Sequence, residues 1–486
     1  MSTRTWKALH ISGWVIAGLQ FIITGIFLFI MHYTGMIPSE YQFMIGVLLV
    51  MLVFLTLIMQ HWKIPGIITK ILSVILSAML VVGSVYAYTT RSAVDGISGN
   101  KTHRYEIGVY VLKDNPAESV SDIIDGTFGI NELTDRENTN KAIKEINDRY
   151  SAGIKTAEYS DLTALADALY DKSIDALIMN AAYVDVISDN ADYKDFPDKV
   201  KLLTTITFDK TVEEDNNENY LSGNGIFTMY ISGIDTNGAP TVNRNSDVNI
   251  LMVVNTNTHQ ILLINTPRDF YVPTTVSGGV KDKLTHAGCY GIDCSVGTLE
   301  MLYEINIDYY MKVNFTGFVD IINYLGGVDV YSEKEFIAWN GKYHILEGEN
   351  HLNGEEALGF ARERYAFGSG DRQRGKNQMK VIKAVIGKMM STDMLMNYTK
   401  ILDKLSETMV TSMPYEEIGR LIKNQLDGMP SWDVQTYSVD GTGDTQPSYS
   451  LSSPNYVMVP NEDTVNQAKA YLAAIYDNQV IDTQAQ

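Results

Sequence analysis

The pattern of apolar and polar positions changes character near residue 90. Before it, apolar residues run in long unbroken stretches; after it, they recur at the periods of strands and helices. Residues 11–31 and 41–60 carry no charge and are long enough to cross a bilayer, which takes about 20 apolar residues. Residues 71–88 are shorter, but their apolar run begins at Ile67, and Lys70 sits at its edge where a long cationic side chain snorkels. A cleavable signal peptide is rejected for the first stretch, because two more spans follow and no small-residue cleavage site is evident. Three membrane spans are therefore expected within 1–90. Arg4 and Lys7 precede the first, Lys63 and Lys70 lie between the second and third, and the loop between the first two has no Lys or Arg. Positive residues stay inside, so the N-terminus is expected in the cytoplasm and everything after Tyr88 outside; Arg91 opposes this weakly.

A polar linker is expected at 91–101. Beyond it, 105–112 alternates as a strand, 139–150 and 162–170 read as helices, and 173–180 reads as a buried strand. This alternation predicts a small α/β accessory domain over 102–210, with no catalytic constellation in it. The acidic run from Glu213 to Glu218 marks a solvated linker, 211–221. A second region, 222–480, shows strands at 226–231, 248–254 and 261–265, and helices at 294–304 and 316–324. A short helix at 355–360 follows Asn353 as N-cap, with Glu356 at the capping-box position. A long helix, 372–390, is expected with Asp371 as its cap, then a strand at 432–438, a closing helix at 462–476 and a tail, 481–486. The expected class is α/β throughout the soluble part, with a central sheet covered by helices in the second region.

Charge sharpens this division. Of 38 basic and 58 acidic residues, the first 91 positions hold five basic and one acidic, leaving 33 basic and 57 acidic, a net charge of −24, in 92–486. Such a surface repels nucleic acid, whose binding rests on phosphate neutralisation. A protein of this kind can handle phosphate only in a local basic pocket. Outside the membrane there is little access to ATP, so substrates must arrive pre-activated, and a membrane surface suggests lipid-linked ones. Cys289 and Cys294 lie in one short run, where a disulfide and two free thiols are both open readings. A metal site using His286 lacks a fourth ligand in sequence.

Five segments concentrate Arg, Asp and Gly at strand ends and loops: Gly233-Ile234-Asp235, Arg244-Asn245-Ser246-Asp247, Pro267-Arg268-Asp269, Arg362-Glu363-Arg364, and Asp371 through Gln378. Alternation would point Arg362 and Arg364 to one side of an extended segment. Arg374 and Gln378, four apart on a helix, share a face. Several arginines with two nearby carboxylates fit a pyrophosphate held with a divalent cation. Guanidinium groups grip phosphate oxygens bidentately, and Mg²⁺ commonly uses one or two carboxylates plus substrate phosphate. Taken singly, each segment reads as readily as a turn, a local ion pair or a solvated face.

In order, Pro267-Arg268-Asp269, Leu325-Gly326-Gly327-Val328-Asp329-Val330, the stretch from Leu352 to Tyr365 and the run from Gly370 to Gln378 resemble the motif set of the LytR–CpsA–Psr family. The resemblance is strong over about 222–400. Three spans plus an accessory domain resemble its capsule-associated, CpsA-like branch. The resemblance implies a Mg²⁺-dependent phosphotransferase that moves a glycan phosphate from a polyprenyl-pyrophosphate carrier to peptidoglycan, attaching capsule or another wall polymer. It implies that Arg268, Arg362 and Arg374 hold the pyrophosphate, with Arg244 and Gln378 in support and Arg364 either binding or bracing. Asp235 and Asp247 would hold Mg²⁺, and Asp247 or Asp269 would orient or deprotonate the attacking hydroxyl. The family commonly has Arg-Ser-Asp where this chain has Arg244-Asn245-Ser246-Asp247, so Arg244 stands one residue early. Ile321, Ile322 and Leu325 are candidates for a polyprenyl tunnel wall as well as for ordinary core. The rival readings are a pyrophosphate hydrolase using the same pocket and a non-enzymatic lipid-binding regulator of glycan polymerisation.

Overall fold

The structure is a computed structural model and describes residues 3–35, 37–98, 102–132, 134–211, 225–234, 241–338, 341–368, 370–391 and 409–483. Asp235 and most of the acidic linker lie outside the described residues. The chain divides into two compact units: Met1–Gly99 with Met390–Ser406 and Met413–Ser431, and Asn100–Met389 with Glu407–Ser412 and Trp432–Gln486.

The first unit holds helices α1 (Thr3–Thr34), α2 (Ser39–Met59) and α3 (Lys63–Ile97). Their apolar stretches His10–Thr34, Ser39–Met59 and Lys63–Thr89 are each long enough to span a membrane. Large apolar side chains such as Phe29, Phe43 and Ile64 face outward, as lipid-facing residues must. Inside, Gln20 accepts from Thr56 Oγ1 at 3.3 Å and Ser73 Oγ at 2.6 Å, tying the three helices together. Two expectations need correction. The polar linker at 91–101 is helical as far as Ile97, where α3 ends, because Ser92 to Ile97 contains no proline and only one glycine. Met413–Ser431, which falls inside the expected 222–480 domain and carries the helix Tyr415–Leu426, groups with the spans. Tyr415 Oη donates to Thr34 O at 2.5 Å, and the Arg91 guanidinium lies 4.0 Å from the Tyr33 ring and 4.5 Å from the Tyr415 ring.

The second unit begins with the accessory fold: β1 (Thr102–Leu112), β2 (Thr127–Asn131), α4 (Arg136–Tyr150), β3 (Lys155–Tyr159), α5 (Leu162–Tyr170), β4 (Ala176–Asn180), α6 (Tyr183–Ser188), α7 (Phe196–Lys199) and β5 (Val200–Thr211). Its mixed sheet runs β3-β2-β4-β1-β5. Period-two alternation divides β4 between two cores: Ala176 and Ile178 pack with Ala142 and Ile146 of α4, while Leu177 and Met179 pack with Leu165 and Leu169 of α5. Helices thus cover both faces, as the α/β reading expects.

The remainder of this unit carries β6 (Ile226–Ile234), β7 (Ser246–Asn255), β8 (Gln260–Asn265), and the hairpin of β9 (Tyr271–Pro273) and β10 (Lys281–Lys283). Then come α8 (Leu284–Ala287), α9 (Ile292–Tyr303), β11 (Tyr309–Asn314) and α10 (Phe315–Tyr324). Strand β12 (Val328–Ser332) pairs with β15 (Gly348–Leu352), and β13 (Phe336–Ala338) with β14 (Tyr343–Ile345). Helices α11 (Gly354–Arg362) and α12 (Asp371–Met389) precede β16 (Met409–Thr411) and β17 (Asp433–Ser438), and the hairpin of β18 (Gly441–Gln446) and β19 (Asn455–Pro460) leads to a final helix, Glu462–Tyr476. The central sheet has the order β16-β11-β6-β7-β8-β17. Leu251, Leu262 and Ile264 pack on one face against Leu299 and Tyr303 of α9 and Leu472 and Ile475 of the final helix; α12 packs on β8 and β17. The capping box at Asn353 and Glu356 forms as expected, with Asn353 Oδ1 accepting from Glu356 N at 3.0 Å.

Candidate active site

Sheet topology alone collects most of the singled-out residues. Strands β6 and β7 are antiparallel, so the end of β6 before Asp235 adjoins the start of β7 at Asp247. Strands β7 and β8 are also antiparallel, which brings the Pro267-Arg268-Asp269 loop to the same end. Strand β11 runs parallel to β6, with Asn314 opposite Ile234. There Phe315 opens α10, and the Arg362 guanidinium sits 4.3 Å from its ring. Helix α12 arrives from the other side. Gly375 lies so close to Asn265, the last residue of β8, that a Cβ there would stand 2.2 Å from its Nδ2. Arg374 and Gln378 flank that contact, and both are buried. Ends of α/β strands are the usual location of ligand sites.

Asp247 is aimed by a β-bulge. Gly233 pairs with Val248 and Ile234 with Ser246, leaving Asp247 as the extra residue of β7; bulges bend a strand and redirect a side chain. Gly233 is required by this close approach, since a Cβ would meet Val248 Cγ2 at 2.6 Å. Beneath the bulge, Tyr230 Oη donates to Asn249 Oδ1 at 2.6 Å, and the Ser232 and Ser246 hydroxyls lie 2.8 Å apart. This buried network fixes the register on which the site rests.

Arg268 is the centre of the charged cluster. Its Nη1 donates to Asp247 Oδ1 at 2.5 Å, its Nη2 lies 3.3 Å from both oxygens of Asp189, and its Nε is 3.6 Å from Asp269 Oδ1. The loop carrying it is bonded on both sides, through Thr285 N to Arg268 O at 2.8 Å and Met458 N to Asp269 O at 2.7 Å. Behind it, the buried Lys283 Nζ donates to Asp189 Oδ2 at 3.1 Å and stands 3.7 Å from Asp269 Oδ1. His286 is fully buried, with Nδ1 2.8 Å from Asp282 Oδ1 and Nε2 3.6 Å from Asp189 Oδ2. Burial raises the Asp189 carboxyl, but His286, Lys283 and Arg268 outweigh it and hold the group well below the ordinary carboxylate range.

Arg244 lies on the loop before β7, where its Nη2 donates to Glu106 Oε2 at 2.9 Å. That loop is held by Lys312, whose Nζ donates to Val242 O at 3.0 Å. Burial, then the nearby Arg244 charge, push the Lys312 ammonium down to about 8. The loop also rests on Gly288, where a Cβ would stand 2.4 Å from Arg244 O and 3.0 Å from Ser246 N. Backbone cannot swing aside as a side chain can, so Gly288→Ala is expected to displace the Arg244–Asp247 loop. Misplacement of about 1 Å costs on the order of 10²-fold in rate. Steady-state kinetics should show a loss of roughly ten- to 100-fold with the circular dichroism spectrum unchanged; wild-type turnover would show that the loop position is immaterial.

Two expectations change in the structure, and the cysteines take one of their two open readings. Arg362 and Arg364 do not share an extended segment, because Arg362 is the last residue of α11 and Glu363 its C-cap. The buried Glu363 carboxylate accepts from the Tyr365 and Ala366 amides and closes a turn there. Arg364 is exposed, donating to Tyr365 Oη at 2.8 Å. Asp371 is the first residue of α12 rather than a cap before it. Cys289 and Cys294 are buried and free. Cys289 packs in the accessory core and donates to Asn245 Oδ1 at 2.9 Å, whereas Cys294 lies in the first turn of α9. Of the tunnel candidates, Ile322 and Leu325 are buried and Ile321 half-buried. Sequence reasoning passed over Glu106, Asp189, Lys283 and Lys312. Their partners lie far off in sequence, and no local pattern marks them.

Of the two carboxylates assigned to Mg²⁺, Asp235 lies outside the described residues, and Asp247 offers carboxylate oxygens beside Arg268, the ligand type that hard cations such as Mg²⁺ take. Among the described residues, no group of three or more His, Cys, Asp or Glu side chains is placed to hold a metal; a Mg²⁺ site completed by substrate phosphate does not need one.

Residues 197–472 match the LytR_cpsA_psr family. The chain is 32% identical over 250 residues to the polyisoprenyl-teichoic acid–peptidoglycan teichoic acid transferase TagU of Bacillus cereus, covering 50% of this chain and 78% of that one. It is 33% identical over 205 residues to the corresponding transferase TagT of Bacillus subtilis, covering 40% of this chain and 62% of that one. A crystal structure of Bacillus subtilis TagV is 28% identical, with a TM-score of 0.44, and the match covers 53% of this chain and 99% of that one.

Proposed function

Because the chain belongs to the LytR_cpsA_psr family, we propose that it transfers a glycan phosphate from a polyprenyl-pyrophosphate carrier to peptidoglycan. The observation that carries this reading is the gathering of Arg244, Arg268, Arg362, Arg374 and Asp247 at one end of the central sheet. A phosphoryl transfer needs little covalent chemistry from a protein, only positioning and charge stabilisation. The related teichoic acid transferases carry the same reaction class in their names.

In this mechanism the arginines bind the pyrophosphate oxygens. A peptidoglycan sugar hydroxyl attacks the glycan-side phosphorus, the bond from that phosphorus to the bridging oxygen breaks, and polyprenyl phosphate departs with that oxygen. Asp247 or Asp269 accepts the hydroxyl proton. Arg268, pinned by three carboxylates, presents its charge without reorganising, which is where electrostatic catalysis gains most. Asp247 and Asp235 would hold Mg²⁺, whose charge would offset that building on the departing phosphate. Asp247 already faces Arg268, so cation and guanidinium would act on one pyrophosphate.

The finer assignments are also ours. The three spans and the accessory fold support a capsule-associated branch, and the basic residues flanking the spans support a cytoplasmic N-terminus with the large C-terminal part outside. The donor is then a capsular or teichoic acid polymer on its lipid.

The test uses the full chain in detergent with lipid-pyrophosphate oligosaccharide, peptidoglycan fragments and Mg²⁺. Chelation is expected to lower transfer by about 10²-fold or more, with recovery on adding Mg²⁺. Undiminished transfer in chelator would refute the metal assignment. Free glycan phosphate, with no adduct although peptidoglycan is present, would identify a hydrolase.

A further inference from the structure

Two arginines at the sheet end are each held by a carboxylate that precedes residue 197, where the family match begins. Glu106 of β1 lies 2.9 Å from Arg244, and Asp189, next after α6, lies 3.3 Å from Arg268. Both pairs are largely withdrawn from solvent. Asp189 also gathers Lys283 and His286, so one accessory carboxylate faces three cationic or protonatable groups of the catalytic part.

The two folds are continuous at this place. Strand β1 bonds to the Arg244 loop through Arg104 N to Thr241 O at 3.2 Å and Asn243 N to Arg104 O at 3.3 Å. Asn190 Nδ2 donates to Ser453 Oγ at 2.7 Å, beside Asp189. Cys289 and Leu451 are buried in the core formed with α5 and α6. An accessory domain acting only as a tether or a separate binding module would need none of these contacts.

We propose that the accessory domain is a working part of the pyrophosphate site, with Asp189 and Glu106 as positioning residues for Arg268 and Arg244. Asp189 acts through Arg268: it holds Nη2 while Asp247 holds Nη1, and so fixes the guanidinium plane. Lys283 is held beside it by the same carboxylate. Glu106 orients Arg244, which stands one residue early in its loop and depends on an external partner for its direction. The inference rests on the reading that Arg268 binds pyrophosphate.

Asp189→Asn removes the charge while keeping the shape. Arg268 keeps Asp247 and Asp269, so its own charge stays in the pocket and ground-state binding is preserved; what is lost is alignment in the transition state. The full-length chain in detergent is titrated with polyprenyl pyrophosphate by calorimetry, and kcat for transfer is measured per binding site. The expected result is a stoichiometry near one, a Kd within about threefold of wild type, and a kcat per site lower by about tenfold or more. Glu106→Gln, at a partly exposed site, is the second variant, with an expected loss of about three- to tenfold. It decides the matter if Asp189→Asn, which leaves the buried Lys283 short of a partner, does not fold. A merely structural role would lower stoichiometry and melting temperature together and leave kcat per site unchanged, and that result overturns the proposal. Arg268→Ala runs alongside. If it binds polyprenyl pyrophosphate like wild type, the underlying site reading fails; if it does not, while the carboxylate variants keep wild-type kcat per site, only the accessory role fails.

Discussion

Arg268→Gln should lower the rate of transfer by about 10²–10³-fold, the usual cost of removing one preorganised charge donor from a transition state. The loss should appear in single turnover at saturating donor, because on the proposed reading Arg268 holds the reacting phosphate. The structure also ties this residue to folding. Asp247 at 2.5 Å, Asp189 at 3.3 Å and Asp269 at 3.6 Å converge on its guanidinium. Without it, three partly buried carboxylates face one another, with Lys283 between Asp189 and Asp269 and His286 beside Asp189. The variant should therefore also melt earlier, and kinetics must be taken well below its melting temperature. Arg268→Lys should recover little, since an ammonium cannot reach two partners with a planar fork. Wild-type single-turnover rates in the folded Gln variant would remove Arg268 from the site.

The largest stability effect is expected at His286. Both it and Asp282 are fully buried, and Asp282 also accepts from the Ser450 and Lys283 amides. His286→Ala leaves the Asp282 carboxylate without its partner. Breaking a buried pair from one side costs about 3–5 kcal/mol, on the order of 10 °C in Tm for a unit of this size. The pair also sets a pH window. Burial pushes the His286 imidazole down, but Asp282 and Asp189 outweigh it, so its pKa lies above the ordinary 6.5. Its contribution is complete below about 6.5 and is lost as pH rises through the higher folded value. Burial pushes Asp282 up, but His286, Ser450 and the Lys283 amide outweigh it, so this carboxyl, like Asp189, lies below the ordinary 3.8. Those contributions are complete above about 3.8 and are lost as pH falls through the folded values. The difference in melting temperature between wild type and His286→Ala should thus be largest between about 4 and 6.5 and shrink on the alkaline side. A difference that stays constant from about pH 5 to 9 would contradict the charged-pair description.

What could be read from the chain follows the range of the interactions involved. The spans were legible because a bilayer demands length and apolarity and little else, and His10–Thr34 and Ser39–Met59 lie within a few residues of the expected stretches. Strand β8 and the helix Glu462–Tyr476 were legible because a continuous apolar run and a 3.6-residue period are local signals. Strand β5 was absorbed into domain and linker, since its run of threonines and lysines at 200–211 carries little apolar alternation. Its pairing with β1 is what makes it a strand. The arginine and aspartate motifs could be placed along the chain, yet their geometry was not available. The bulge that turns Asp247 arises from pairing with β6, and the helical end at Arg362 depends on Glu363 turning inward. Asp189 and Glu106 were invisible for the same reason: their partners lie 79 and 138 positions away.

The central claim concerns which bond breaks and where the phosphate goes. The direct measurement gives the full chain a polyprenyl-pyrophosphate oligosaccharide carrying ³²P only in the glycan-side phosphate, with peptidoglycan and Mg²⁺. Transfer as described places the label in peptidoglycan, one phosphate for each glycan attached, and releases unlabelled polyprenyl phosphate. Label remaining on the lipid, or glycan joined to peptidoglycan without it, would mean that a different bond is cut and that the arginines at the sheet end serve another reaction.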